Sequence, residues 1–140
     1  NVNKVESPFE IQKFVREVRS GDYDSLFRRL QSFFADTTYE VIRDQELHYE
    51  NVLFIVFKLV GFYTKVEYHT SEGRIDLVLQ TDKFIYIMEF KLNGSAEEAL
   101  RQIKDKHYAL PFATDGRKLF QIGVNFSAET RTIEKWIVEA

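Results

Sequence analysis

Two acids and a lysine, Asp76, Glu89 and Lys91, are the residues of this chain whose types and spacing carry the plainest chemistry. Asp76 lies in the run Arg74-Ile75-Asp76-Leu77-Val78-Leu79-Gln80, and Glu89 and Lys91 close the run from Phe84 to Lys91. Both runs read as strands, and the turn around Thr81-Asp82-Lys83 is short enough to make them an antiparallel hairpin. A two-residue loop at Asp82-Lys83, or a four-residue loop about the same centre, sets Asp76 opposite Glu89, Arg74 opposite Lys91 and Val78 opposite Ile87. The other face then pairs Ile75 with Phe90, Leu77 with Met88 and Leu79 with Tyr86. One face is wholly apolar, and the other is apolar near the turn and charged at its far end. A slip of one residue would turn the charges into the core, so the alternation itself defends this register.

Directly opposed residues have Cβ atoms ~4.5–5.5 Å apart. Two carboxylates at ~5 Å repel by about 3 kcal/mol at an effective dielectric near 20. A shared proton, a basic neighbour or a cation must offset that. Lys91, two residues from Glu89 on the same strand face, gives partial relief. A hard divalent ion gives more, since Mg²⁺ is commonly held by one or two carboxylates together with phosphate oxygens.

The elements that must position these residues follow from periodicity and caps. Ser7-Pro8 followed by Phe9, Ile11, Phe14, Val15 and Val18 predicts a capped amphipathic helix ending near Gly21. A second helix is expected from Asp22 to about Ala35, and a third from about Asp44 to Val60. Strands are expected at Phe62 to Thr70, Arg74 to Gln80 and Phe84 to Lys91. Ser95, with Glu98 three residues on, forms a capping box that opens a helix from Ala96 to about Leu110. Lys118 to Phe126 alternates as a strand, and Arg131 to Val138 fits strand or helix. Residues 1–44 thus read as a helical lead-in and 45–140 as an α/β core of helix, three antiparallel-type strands, helix and strand. On the third helix the stripe Glu46, Tyr49, Leu53, Val56, Val60 puts an acid in line with apolar residues. Glu46 is therefore a further candidate for the cleft, with Glu50 one turn on as its substitute.

Composition bounds the rest. With 140 residues, 44% hydrophobic and 29% charged, the chain is sized for one folded unit, and its 13 Phe and 7 Tyr predict a core of large rings. The absence of cysteine excludes disulfides, thiolate ligands and thiol catalysis. Val52 to Val60, interrupted by Lys58, falls far short of the ~20 apolar residues that span a bilayer, so no membrane segment is expected and the cytoplasm is the expected compartment. The net charge of −3 does not supply the basic excess of a protein held on nucleic acid mainly by phosphate contacts. His48, His69 and His107 lack metal-ligand spacing and read as surface or packing residues, and no glycine-rich phosphate loop is present.

An acid closing one strand and Glu-x-Lys on the next, here Gly73-Arg74-Ile75-Asp76 and Glu89-Phe90-Lys91, resembles the signature of the PD-(D/E)XK nucleases, which have a restriction-endonuclease-like core. The stretch from Glu46 to about Trp136 is similar to the nuclease-like domain attached to AAA-ATPase-like proteins of bacteria. The matching pieces are Glu46-Leu47-His48-Tyr49, Gly73 to Leu77, Ile87 to Lys91, Ala99 to Ile103 with Lys106 and Tyr108, and Ile122 to Phe126. The resemblance implies a phosphodiester-hydrolysing enzyme acting on nucleic acid, DNA first, and an ATPase-like domain as a partner in a longer parent chain. It implies Mg²⁺, or Mn²⁺, held by Asp76, Glu89 and the Phe90 backbone carbonyl, with Glu46 on the metal or its water. Lys91 would orient or deprotonate the attacking water, and Gln102 would support the site. Two positions depart from the pattern: Arg74-Ile75 replaces the proline before Asp76, and Lys106 rather than tyrosine stands four residues after Gln102. Arg74, Lys104 and Lys106 are candidates to grip phosphate, set against plain surface charge. A catalytically silent module with the same fold is the alternative from another class.

Overall fold

The computed structural model describes residues 10–36 and 45–140; the expected Ser7-Pro8 cap lies outside them. The elements are α1 (Ile11–Ser20), α2 (Tyr23–Asp36), α3 (Gln45–Val60), β1 (Lys65–Ser71), β2 (Arg74–Gln80), β3 (Phe84–Leu92), α4 (Ala96–Asp105), a 3₁₀ turn (Leu110–Phe112), β4 (Lys118–Ser127) and β5 (Thr132–Glu139). The strands form one five-stranded sheet in the order β1-β2-β3-β4-β5. All neighbours are antiparallel except β3 and β4, which run parallel. A parallel pair needs a crossover, and α4 supplies it. The final segment, whose pattern fits strand or helix, is the edge strand β5. This is the mixed α/β, restriction-endonuclease-like architecture with a helical N-terminal part.

The hairpin register is the one that alternation requires. Asp76 faces Glu89, Arg74 faces Lys91 and Ile75 faces Phe90. The Thr81 amide donates to the Phe84 carbonyl at 2.8 Å, which leaves Asp82-Lys83 as a two-residue loop. The wholly apolar face packs beneath α1, α2 and α3: Ile75, Leu77, Leu79, Met88 and Phe90 join Phe14, Phe27, Leu30, Tyr49 and Leu53 in one cluster. Rings dominate it, with Phe34 edge-on to Phe126 at 4.9 Å and Tyr49 stacked on Phe126 at 4.8 Å. Such pairs add to plain area burial through ring electrostatics. The opposite face carries a smaller cluster of Ile85, Ile87 and Ile103 under α4.

Two boundaries differ from expectation. The chain after α3 does not extend at Phe62, because the Phe62, Tyr63 and Thr64 amides bond back to Leu59 and Val60 carbonyls and prolong the helical turn. That satisfies carbonyls which a helix end otherwise leaves open, so β1 starts at Lys65. α4 ends at Asp105, well short of Leu110, because His107 takes a left-handed φ of 57° and Pro111 then enters the 3₁₀ turn.

The start of α4 is held by both halves of the capping box: the Glu98 amide donates to Ser95 Oγ at 3.0 Å, and the Ser95 amide donates to Glu98 Oε1 at 3.0 Å. Ser95→Ala is expected to cost ~1 kcal/mol, read as a lowered urea midpoint with unchanged slope. Gly123 of β4 lets α4 lie against the sheet. A Cβ there would sit 2.2 Å from the Ala96 carbonyl oxygen and 2.5 Å from the Leu100 nitrogen, both backbone atoms. Gly123 pairs with Glu89 in the parallel register, so this close approach brings α4 down beside the charged end of the hairpin.

Candidate metal centre

Asp76 and Glu89 stand side by side on the α4 face of β2 and β3. Glu89 is fully buried, at 0% exposure. Among the described residues no donor reaches either of its carboxylate oxygens, and Asp76 Oδ1 likewise accepts no hydrogen bond. Burial and the adjoining Asp76 carboxyl push the Glu89 acid up to about 8, while Arg74 and Lys106 oppose the rise. Without another cation, the pair relieves its repulsion by holding one proton between the two carboxyl groups.

The outer oxygen of Asp76 has a partner: Tyr108 donates its hydroxyl hydrogen to Asp76 Oδ2 at 2.9 Å. Burial and the two acids push the Tyr108 phenol up to about 12, so it remains a donor at neutral pH. Arg74 Nε lies 3.8 Å from Asp76 Oδ1, beyond hydrogen-bond distance, and Arg74 Nη1 donates to Gln102 Oε1 at 2.8 Å. Gln102 therefore acts on Arg74. The two polar side chains of this wall divide the work, Gln102 holding the arginine and Tyr108 holding the acid.

Phe90 has its ring in the large core, 6.1 Å from the rings of Phe27 and of Phe57, which leaves only its backbone to serve the site. Lys91 is half-buried, and its stem passes Gly94, where a Cβ would be 3.0 Å from Lys91 Cε. The Glu98 carboxyl of the capping box is held low first by its hydrogen bonds from Ser95 and then by the Lys91 charge. The cations that act on Glu89 are Arg74 and Lys106. Glu46 accepts a hydrogen bond from the Gly73 amide, while the Tyr49 hydroxyl donates to the Gly73 carbonyl at 2.8 Å. Both residues thus pin the β1–β2 turn, where Gly73 has a φ of 64°. Lys104 pairs with Glu139 at 2.5 Å, away from the acids.

Among the described residues no group of three or more His, Cys, Asp and Glu side chains forms a metal cage. Two carboxylates with three bare, buried oxygens are nevertheless the donor set a hard divalent ion takes when backbone, water and substrate oxygens complete its shell. The residues fit such an ion. Beside Asp76 opens a cleft of about 410 Å³, bounded by His69 on β1, Val78 and Ile87 on its floor, and Lys106, Tyr108 and Phe112 on the far wall.

Tyr108 is not legible as a site residue from spacing. Its reach depends on α4 stopping at Asp105 and on the left-handed turn at His107, which bring the hydroxyl back over β2. Tyr108→Phe removes one hydrogen bond from a ligating acid, so divalent-ion affinity is expected to weaken by about tenfold, in the range for a lost partner of a metal ligand. Titration calorimetry with Mn²⁺ reads this directly.

Residues 44–136 match the family model of the PD-(D/E)XK nuclease superfamily. The chain is also 30% identical, over 128 residues, to a protein of Azotobacter chroococcum mcd 1 described as an uncharacterized protein in the vnfD 5′ region. That match covers 86% of this chain and 25% of the relative, so the chain spans about a quarter of the relative's length. No solved structure matches the chain.

Proposed function

Because this chain belongs to the PD-(D/E)XK nuclease superfamily, we propose that it is a divalent-metal-dependent nuclease with Asp76 and Glu89 at its catalytic centre. The observation that carries the reading is the pairing of these two acids across adjacent strands with three oxygens that no donor among the described residues reaches. Asp76, Glu89 and the Phe90 carbonyl would hold Mg²⁺ or Mn²⁺. When bound, the ion polarises the phosphoryl oxygen and lowers the pKa of a water.

The chain's own residues supply the rest. Tyr108 fixes the orientation of Asp76 and stays protonated while doing so. Arg74, steadied by Gln102, and Lys106 place positive charge beside the acids, where a phosphate's negative charge would arrive. Lys91 has a flexible four-carbon stem and projects from the same strand face as Glu89. Swung from Gly94 toward the acids, it would orient the attacking water or steady charge growing on the phosphate. Glu46 fixes the turn that leads into β2 through its Oε2 and would reach a water through its other oxygen. We take residues 45–140 as the catalytic module, with 1–44 as its helical lead-in. DNA is the proposed substrate, the cytoplasm the proposed compartment and an ATPase-like domain the proposed partner in a longer parent chain.

Two observations favour the alternative of a silent module: the Arg74 guanidinium already leans on Asp76 at 3.8 Å, and the Lys91 stem lies against Gly94. Plasmid and oligonucleotide degradation with Mg²⁺ or Mn²⁺ separates the two, with Glu89→Ala and Lys91→Ala as controls. Cleavage that needs the metal and both residues supports the nuclease. No cleavage, with no calorimetric heat of metal binding, supports the silent module.

A further inference from the structure

We propose that the cleft beside Asp76 binds one unpaired nucleotide, which makes single-stranded or frayed nucleic acid, rather than intact duplex, the substrate class of this site. The inference rests on the nuclease reading of Asp76 and Glu89.

The cleft, at about 410 Å³, has the capacity for one small-molecule-sized group. Its floor is apolar: Val78 and Ile87 stand opposite each other in the hairpin and belong to the cluster under α4. Its far wall is aromatic, with Tyr108 and Phe112 half-buried against that cluster. Its ends are polar. Asp76 closes one side, His69 pairs with Asp76 from the edge strand, and Lys106 stands exposed at the rim, 5.9 Å from the centre of the Tyr108 ring. A flat, apolar-faced ring on the floor with an anion between Lys106 and the acids' metal suits this distribution. A nucleotide has both parts.

The backbone supports a shaped wall. His107, a non-glycine residue with φ 57°, breaks α4 and returns Tyr108 to Asp76, and the Pro111 turn then presents Phe112. Left-handed residues of this kind persist where surrounding contacts hold them. Strandedness follows from access. A base in an intact duplex reaches such a cleft only by leaving its stack and its partner. With a net charge of −3, the chain has no overall positive excess to repay that through phosphate contacts. An unpaired strand bears no such cost, and stacking on aromatic side chains tolerates any base.

The test uses one fluorescein-labelled oligonucleotide, alone and annealed to its complement. It measures Mg²⁺-dependent kcat/KM and, separately, anisotropy with EDTA present. The single strand is expected to be cut at least about tenfold faster and bound more tightly than the duplex. Phe112→Ala should weaken single-strand binding roughly tenfold, the scale of one lost base stack. Because Phe112 also packs against the α4 cluster, Phe112→Leu, which keeps apolar bulk but not the flat ring, must lose the preference too. Lys106→Ala, at an exposed position, should weaken binding further at low salt than at high salt.

Equal cutting and binding of strand and duplex overturns the proposal, as does wild-type preference in Phe112→Leu. A free mononucleotide that competes as well as the strand also overturns it, and assigns the cleft to a soluble nucleotide. Phe112-dependent strand binding without any metal-dependent cleavage refutes the nuclease reading and upholds the cleft. Glu89-dependent cleavage of duplex and strand alike does the reverse.

Discussion

Glu89→Gln is expected to reduce metal-dependent cleavage by about 10³-fold or more while making the metal-free protein more stable than wild type in alkaline buffer. The two effects have one cause. Glu89 is fully buried beside a second acid, and its carboxyl titrates near 8 rather than at its ordinary 4.5. Below pH 4.5 both folded and unfolded chains hold the proton, and the group contributes its full share of stability. Between 4.5 and about 8 the unfolded chain gives up the proton and the folded chain keeps it, so stability falls as pH rises. Above about 8 the folded chain ionises too, and the loss is complete. Each tenfold change in proton affinity is worth ~1.4 kcal/mol, so that loss is on the order of a few kcal/mol.

The Gln side chain keeps the shape and never ionises, so it removes the pH-dependent part. Its buried amide leaves some hydrogen-bonding capacity unmet, a penalty of ~1–3 kcal/mol that does not vary with pH. Thermal denaturation in EDTA should therefore show Glu89→Gln no better than wild type at pH 5 and clearly better at pH 9. Saturating Mg²⁺ should raise the wild-type midpoint alone, since about 100 Kd of ligand adds ~2.7 kcal/mol to a protein that binds it. A stability difference that stays flat from pH 5 to 9 would show that the buried acid is relieved by something other than its proton or a cation.

Lys91→Ala is expected to lower kcat by ~10²–10³-fold, the scale of one lost transition-state donor, with metal affinity and melting temperature close to wild type. Among the described residues no hydrogen bond or ion pair holds Lys91, and it is half-buried on the strand face that carries Glu89. Deleting its head group therefore strands no partner and opens no cavity in either core cluster. Lys91→Arg should rescue poorly, because a planar fork cannot place a single point charge as an ammonium does. Lys106→Ala, measured alongside, decides which cation serves the reacting phosphate. Arg74 and Lys106 already act on Glu89, whereas Lys91 must move from the Gly94 side to do so. A larger loss of kcat at Lys106 than at Lys91 would assign the role to the end of α4 instead of to β3.

The amino-acid order by itself determined the hairpin and with it the meeting of Asp76 and Glu89. One face of those strands is wholly apolar, the loop admits two residues, and any slip buries charge, so a local pattern with period two dictated a contact across strands. It also determined the start of α4, because a capping box needs only residues three apart. Tertiary structure alone decided what surrounds the acids. Where α4 ends depends on His107 and Pro111 rather than on its apolar stripe, and that ending delivers Tyr108 to Asp76. Gln102 meets Arg74 and Glu46 meets the Gly73 amide through pairings that no periodicity encodes. The first follows from how closely α4 lies on the sheet at Gly123 and the second from where α3 meets the β1–β2 turn, and such partners are fixed only when the whole core has closed around them.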